Sequence, residues 1–193
     1  MKAAAYIIVL AVPLALASPV FPDYPVKQAK DCSASVENAG IVMGLDPVEA
    51  PRLQKAYFGV NLTRRGFVPV YVVIENAMSA NSAIFDKSKV TYGDGAATPS
   101  VAKTGSGSGK AIAWSVVPFF GPFAAAQVIS DASQIQKNLL KKELRSTTFS
   151  PNVAIHGFLY IPTNPKTARK KISLRIPISK VDTDEIVDLS LSF

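Results

Sequence analysis

The chain has 193 residues, a formal charge of +7, one cysteine and one histidine. Cys32 alone cannot close an intramolecular disulfide, and Cys32 with His156 cannot furnish the several ligands of an all-His/Cys zinc centre, so packing must hold the fold and that metal chemistry is excluded. The Gly-x-Ser-x-Gly turn of serine hydrolases is absent as well.

Met1-Lys2, an apolar run over 3–16 and the small-x-small site Ala15-Leu16-Ala17 predict a secretory signal over 1–17. The apolar part is shorter than the ~20 residues that a spanning helix needs. Residues 18–193 then form a single domain exported to the periplasm or cell envelope, long enough for a sizeable core. Cys32 follows Ala29-Lys30-Asp31 rather than the leucine-small-small context of a lipidated cysteine, so a free or buried thiol is expected.

Pro19, Pro22 and Pro25 make 18–32 an extended lead-in. Ile41, Met43 and Leu45 alternate in a first strand that ends at Asp46-Pro47. Leu53, Ala56 and Tyr57 are at helical spacing, and Pro51 limits that helix to a short one ending before Gly59. Residues 67–74 are β-branched or aromatic almost throughout, which predicts a central strand covered on both faces, with Pro69 tolerated near its start. A weaker strand is expected over 84–92. The Gly/Ser/Ala/Thr-rich stretch 93–110 reads as a flexible linker.

A helical insertion is predicted over 111–145. Residues 111–130 carry no charge, about the length that crosses a bilayer core, but Pro118 and Pro122 break one straight helix into a hairpin of two arms joined at 119–122. The second arm, about 122–145, has an apolar stripe of Val128, Ala132, Ile135 and Leu139, widened by Leu140 and Leu144. Three strands follow. In the first, Val153, Ile155, Leu159 and Ile161 share one face and His156, Phe158 and Tyr160 the other; the strands at 172–179 and 187–193 alternate apolar and polar, and Pro177 places its strand at an edge. The fold class is therefore mainly β with an α insertion, an antiparallel sandwich carrying a helical hairpin, with Val72, Ile74, Leu159, Leu174 and Leu189 in its core.

No stretch carries a catalytic or cofactor motif. The run Gly105-Ser-Gly-Ser-Gly-Lys110 has Thr104 where a phosphate loop needs glycine, and Ala111 where it needs the magnesium-holding hydroxyl. His156 reads as a packed or edge residue, and Asp182, Asp184 and Glu185 as a hairpin loop without an EF-hand frame. Asn61-Leu62-Thr63 fits the N-glycosylation pattern and is read as chance. Nine of the basic residues fall between Lys137 and Arg175 against Glu143 alone, and an exported chain makes anionic headgroups or another polyanion a better partner for them than nucleic acid.

Residues 57–62 and 66–76, the Ala/Gly/Pro-rich apolar insert, and 150–160 with His156-Gly157-Phe158-Leu159-Tyr160 resemble a group of uncharacterised bacterial exported proteins and lipoproteins. The resemblance implies an immunoglobulin-like β-sandwich and a bacterial source, and it brings no activity, cofactor or catalytic residue.

The first expectation for function is a non-catalytic envelope protein attached to a membrane surface or a protein partner through its insertion. Trp114, Phe119, Phe120 and Phe123 would make the apolar contact and Lys137, Lys141 and Lys142 would meet anionic headgroups. The alternative is a soluble periplasmic or secreted binding module whose insertion packs on its own sheet; an enzyme and a pore former are the remaining classes.

Overall fold

The structure, a computed structural model, describes residues 21–93, 100–101, 126–163, 172–183 and 185–193, with side chains for all of these but 100–101 and 126–133. The expected signal, the first helical arm with Trp114, the joint with Phe119 and Phe120, the start of the second arm with Phe123, and most of the expected linker lie outside these residues. Two helices and ten strands are described: β1 (Ala34–Asn38), β2 (Ile41–Pro47), α1 (Pro51–Phe58), β3 (Phe67–Asn76), β4 (Ala83–Phe85), β5 (Thr91–Gly93), β6 (Ser100–Val101), α2 (Ala126–Lys142), β7 (Thr147–Phe149), β8 (Ala154–Pro162), β9 (Ser173–Lys180) and β10 (Ile186–Ser192).

Every pairing between these strands is antiparallel, and they form two sheets. Sheet 1 has the order β1-β2-β3-β8. In sheet 2, β10 runs along one side of β9, while β5 (opposite 173–175) and β4 (opposite 178–180) share the other; β6 extends β5 and β7 extends β4. The sheets pack face to face. Val68, Val70, Val72, Ile74, Leu159 and Ile161 of sheet 1 join Phe85, Leu174, Ile176, Ile178, Val187 and Leu189 of sheet 2 in one core, and the five residues expected there are all fully buried. Along one side β1 meets β10, where Asn38 donates to the backbone carbonyl of Asp188 at 3.1 Å.

β3 owes its unbroken apolar run to cover on both faces. Its even-numbered residues enter the core between the sheets, whereas Tyr71 and Val73 lie under a second layer on the outside of sheet 1. Pro69 within it cannot donate, and the carbonyl of Val48, its neighbour in the ladder, accepts instead from the amide of Gln54 at 2.7 Å. The same side chain bonds Thr63 in both directions, so Gln54 is fully buried and fully used. This explains why α1 turns Gln54 and Phe58 inward and leaves Leu53 exposed.

Three expectations are corrected. The single strand over 84–92 is two short strands, because the Asp86 carboxylate accepts from the Ser88 backbone (2.9 Å) and hydroxyl (2.7 Å) and turns the chain between them. Residues 100–101, within the expected linker, pair with β5. β9 is interior rather than an edge: Ile172 and Phe193 exchange backbone hydrogen bonds, so even-numbered residues of β9 face β10, and the missing donor of Pro177 points into the gap between β5 and β4. β1 and β7 were not expected, and α2 falls within the second arm.

Candidate functional site

The outer face of sheet 1 carries rings. Tyr71 of β3 and Phe158 and Tyr160 of β8 meet Phe58 of α1 and, from the lead-in segment, Tyr24, with ring centroids 4.7–6.0 Å apart. Ile135 and Leu139 of α2 complete this layer, so these two residues of the stripe expected on the second arm pack on the chain's own sheet, while Leu144 joins the core between the sheets and the side chains of Val128 and Ala132 lie outside the described residues. Helix ends leave carbonyls without intrahelical donors, and the side chains here supply them. Tyr160 donates to the carbonyl of Leu139 (2.9 Å) and Arg145 to that of Leu140 (3.2 Å), both in the last turn of α2. Near the end of α1, the carbonyl of Tyr57 accepts from Asn138 (2.8 Å) and from the ammonium of Lys142 (2.9 Å), whose charge suits the negative end of that helix.

Lys142 therefore has a structural position. Its side chain is 5% exposed and also donates to the carbonyl of Pro22 at 2.6 Å; burial lowers its pKa. Lys141 and Lys137 stay exposed, Lys141 lying 3.5 Å from an equally exposed Asp23. Of the three lysines expected at a membrane, the structure thus turns two outward and one inward.

Residues 21–32 form a strap across this layer. Phe21 packs on Gly59, and the Ala29 backbone lies so close to Gly44 that any Cβ at 44 would collide with it. The strap is pinned by Asp46, buried in β2, whose carboxylate accepts from the ammonium of Lys27 and from the backbone and hydroxyl of Ser33. Burial alone would raise the Asp46 pKa, but these hydrogen bonds outweigh it and the net shift is downward. A depressed carboxylate contributes stability that is present above its unfolded value of 3.8 and is lost as the pH falls through the folded one. Asp46→Asn is accordingly expected to be less stable than the parent at pH 6 and to have a flatter stability profile below pH 4; equal acid slopes in urea titrations would remove Asp46 from this role. Nearby Cys32 is half-buried, and burial pushes its thiol up to about 11, which leaves it a poor nucleophile at neutral pH.

An open groove of about 710 Å³ lies where the end of α2 passes the edge of β8. Leu140 and Ile155 give it apolar wall, and Lys137, Lys141 and Arg145 rim it. Glu143, also in the wall, is taken by Lys87 at 2.8 Å. Leu144 donates its backbone N–H to the carbonyl of Phe158 (3.0 Å) and approaches the strand so closely that a Cβ on Gly157 would lie 2.7 Å from the Leu144 nitrogen. Since the Phe158 carbonyl points away from β3, alternation turns the N–H and C=O groups of His156 and Ala154 outward too, into the groove. No hydrogen bond to these four groups is formed among the described residues. His156, expected as a packed or edge residue, stands exposed on this edge with its ring 5.9 Å from that of Tyr71.

The acidic loop expected at 182–185 is the turn of the β9–β10 hairpin, where Glu185 pairs with Lys180 at 2.9 Å; Asp184 is outside the described residues. Within the sequon, the Asn61 side chain accepts from the Arg64 backbone (3.0 Å) and Leu62 is buried. No group of three His, Cys, Asp or Glu side chains that could hold a metal ion occurs among the described residues. Comparison with known proteins finds no matching family model, no matching curated protein and no matching solved structure.

Proposed function

We propose that the chain is a non-catalytic binding module exported to the periplasm or cell envelope, an immunoglobulin-like sandwich whose α2 is a lid fixed over its own sheet. The observation that carries this reading is the inward face of α2: Ile135 and Leu139 pack on the rings of sheet 1, and Lys142 is spent on carbonyls of the same chain. No helix among the described residues is long and apolar enough to cross a membrane. A second reading, membrane attachment through Trp114, Phe119, Phe120 and Phe123, draws support from Lys137 and Lys141, which are exposed on the second arm.

Vesicle co-sedimentation of residues 18–193 separates the two. A lid predicts that the protein stays in the supernatant at every anionic lipid fraction in low salt, and that changing Phe119 and Phe120 to serine leaves this unchanged. Pelleting that rises with anionic lipid, falls with salt and is lost in the folded double-serine variant would transfer the function to attachment, each exposed cation then adding about 1 kcal/mol.

A further inference from the structure

We propose that the groove beside β8 takes an acidic, extended peptide segment as an added strand. The inference rests on the reading of the chain as a binding module and names its partner. Two independent features of the groove point to this ligand. The first is backbone: Ala154 and His156 present two N–H and two C=O groups outward on an edge whose next position, Phe158, already accepts a neighbouring chain segment at Leu144. An edge in this state offers the pairing by which sheets capture extended peptides. Leu144 and Gly157 show the spacing at which a backbone can lie there, because the absence of a Cβ at 157 is what lets the segment come close.

The second feature is charge. Lys137, Lys141 and Arg145 line one side, and neither Lys137 nor Arg145 forms an ion pair among the described residues. Lys141 has only the mutually exposed contact with Asp23, which solvent weakens. The one acid of the wall, Glu143, is neutralised by Lys87 and its side chain is 8% exposed. Backbone pairing gives such a ligand its geometry, and the basic rim selects its sign. Ile155 and Leu140 offer apolar contact to alternate side chains. A segment alternating acidic and β-branched residues fits all three requirements. The competing reading of basic residues beside a strand edge is protection against unwanted pairing, which predicts no ligand.

The probe is acetyl-(Glu-Val)4-amide, titrated into isotopically labelled residues 18–193 with hydrogen exchange read at the Ala154 and His156 amides. These two amides are expected to slow on addition of the peptide, and Lys137→Glu with Arg145→Glu to weaken binding by at least about tenfold. A peptide N-methylated along one edge should lose binding, a control that leaves the protein untouched. Equal binding of the N-methylated peptide or of acetyl-(Lys-Val)4-amide would overturn the proposal, as would absence of protection at 154 and 156. Protection already present in the peptide-free protein would overturn it too, since the edge would then be covered by a second copy or by the chain itself. A protein that ignores the peptide but stays in the supernatant with vesicles loses this site alone, whereas one that pellets with anionic vesicles loses the module reading.

Discussion

Replacing Phe158 by alanine is expected to cost about 3–5 kcal/mol. The side chain is 1% exposed and its ring lies 4.9–5.3 Å from those of Phe58, Tyr71 and Tyr24, so the cavity would open at the point where β3, β8, α1 and the strap converge. Nothing of similar size can slide in, because each neighbour is anchored elsewhere: Tyr71 by its strand, Phe58 by its helix, Tyr24 by the strap that Asp46 pins. The loss should be felt first in the outer layer. Native-state hydrogen exchange should quicken in α2 and residues 21–32 more than in β9 and β10. A loss below about 1 kcal/mol in urea unfolding, or uniform quickening, would show that the layer is not a cooperative unit.

The adjacent position should behave differently. Leu159→Ala is expected to cost about 2–5 kcal/mol, but its side chain faces the core between the sheets, beside residues of β3, β9 and β10. Opening that core should lower protection in both sheets together, with β9 and β10 losing as much as β3. Should the Leu159 variant loosen only α2 and the strap, the faces assigned to β8 would be reversed. The pair tests the alternation of one strand with two substitutions at neighbouring sites.

That alternation was legible in the sequence. The period of two over 153–161 and 172–193 places apolar residues on defined faces, and the doubly apolar run of β3 announces cover on both sides. β1 was not legible because Ala34-Ser-Val-Glu-Asn38 has one large apolar residue and lies at an edge, and β7 because it has three residues. Pro177 misled for a geometric reason: an absent donor signals an edge only when a partner would have faced it, and here the other side of β9 is shared by two short strands with a gap between them.

The groove was only half visible. Its basic rim could be read as charge, but the direction of the Ala154 and His156 backbone follows from register, which no residue encodes by itself. Lys142 had a readable signal that charge counting obscures. It continues the Ile135, Leu139 stripe at a spacing of three, so it belongs to the buried face of α2, whereas Lys137 and Lys141 do not. Its partners, the carbonyls of Pro22 and Tyr57, come from far upstream and leave no local trace.

The strap imposes an order on synthesis. Residues 21–32 are made before every group that holds them, and the contact from Pro22 to Lys142 spans 120 positions. At about 5–20 residues per second, the partner would follow roughly 6–24 s later. Through that interval Tyr24 and Tyr71 stay exposed, because Phe158 and Tyr160 of β8, which complete the aromatic face, are made only after Lys142. A nascent chain in this condition presents a sticky apolar surface, and its inner core waits longer still, because Leu174, Ile176, Ile178, Val187 and Leu189 lie in the last two strands. Chaperone demand should therefore peak late, when β8 has emerged but β9 and β10 have yet to cover its inner face.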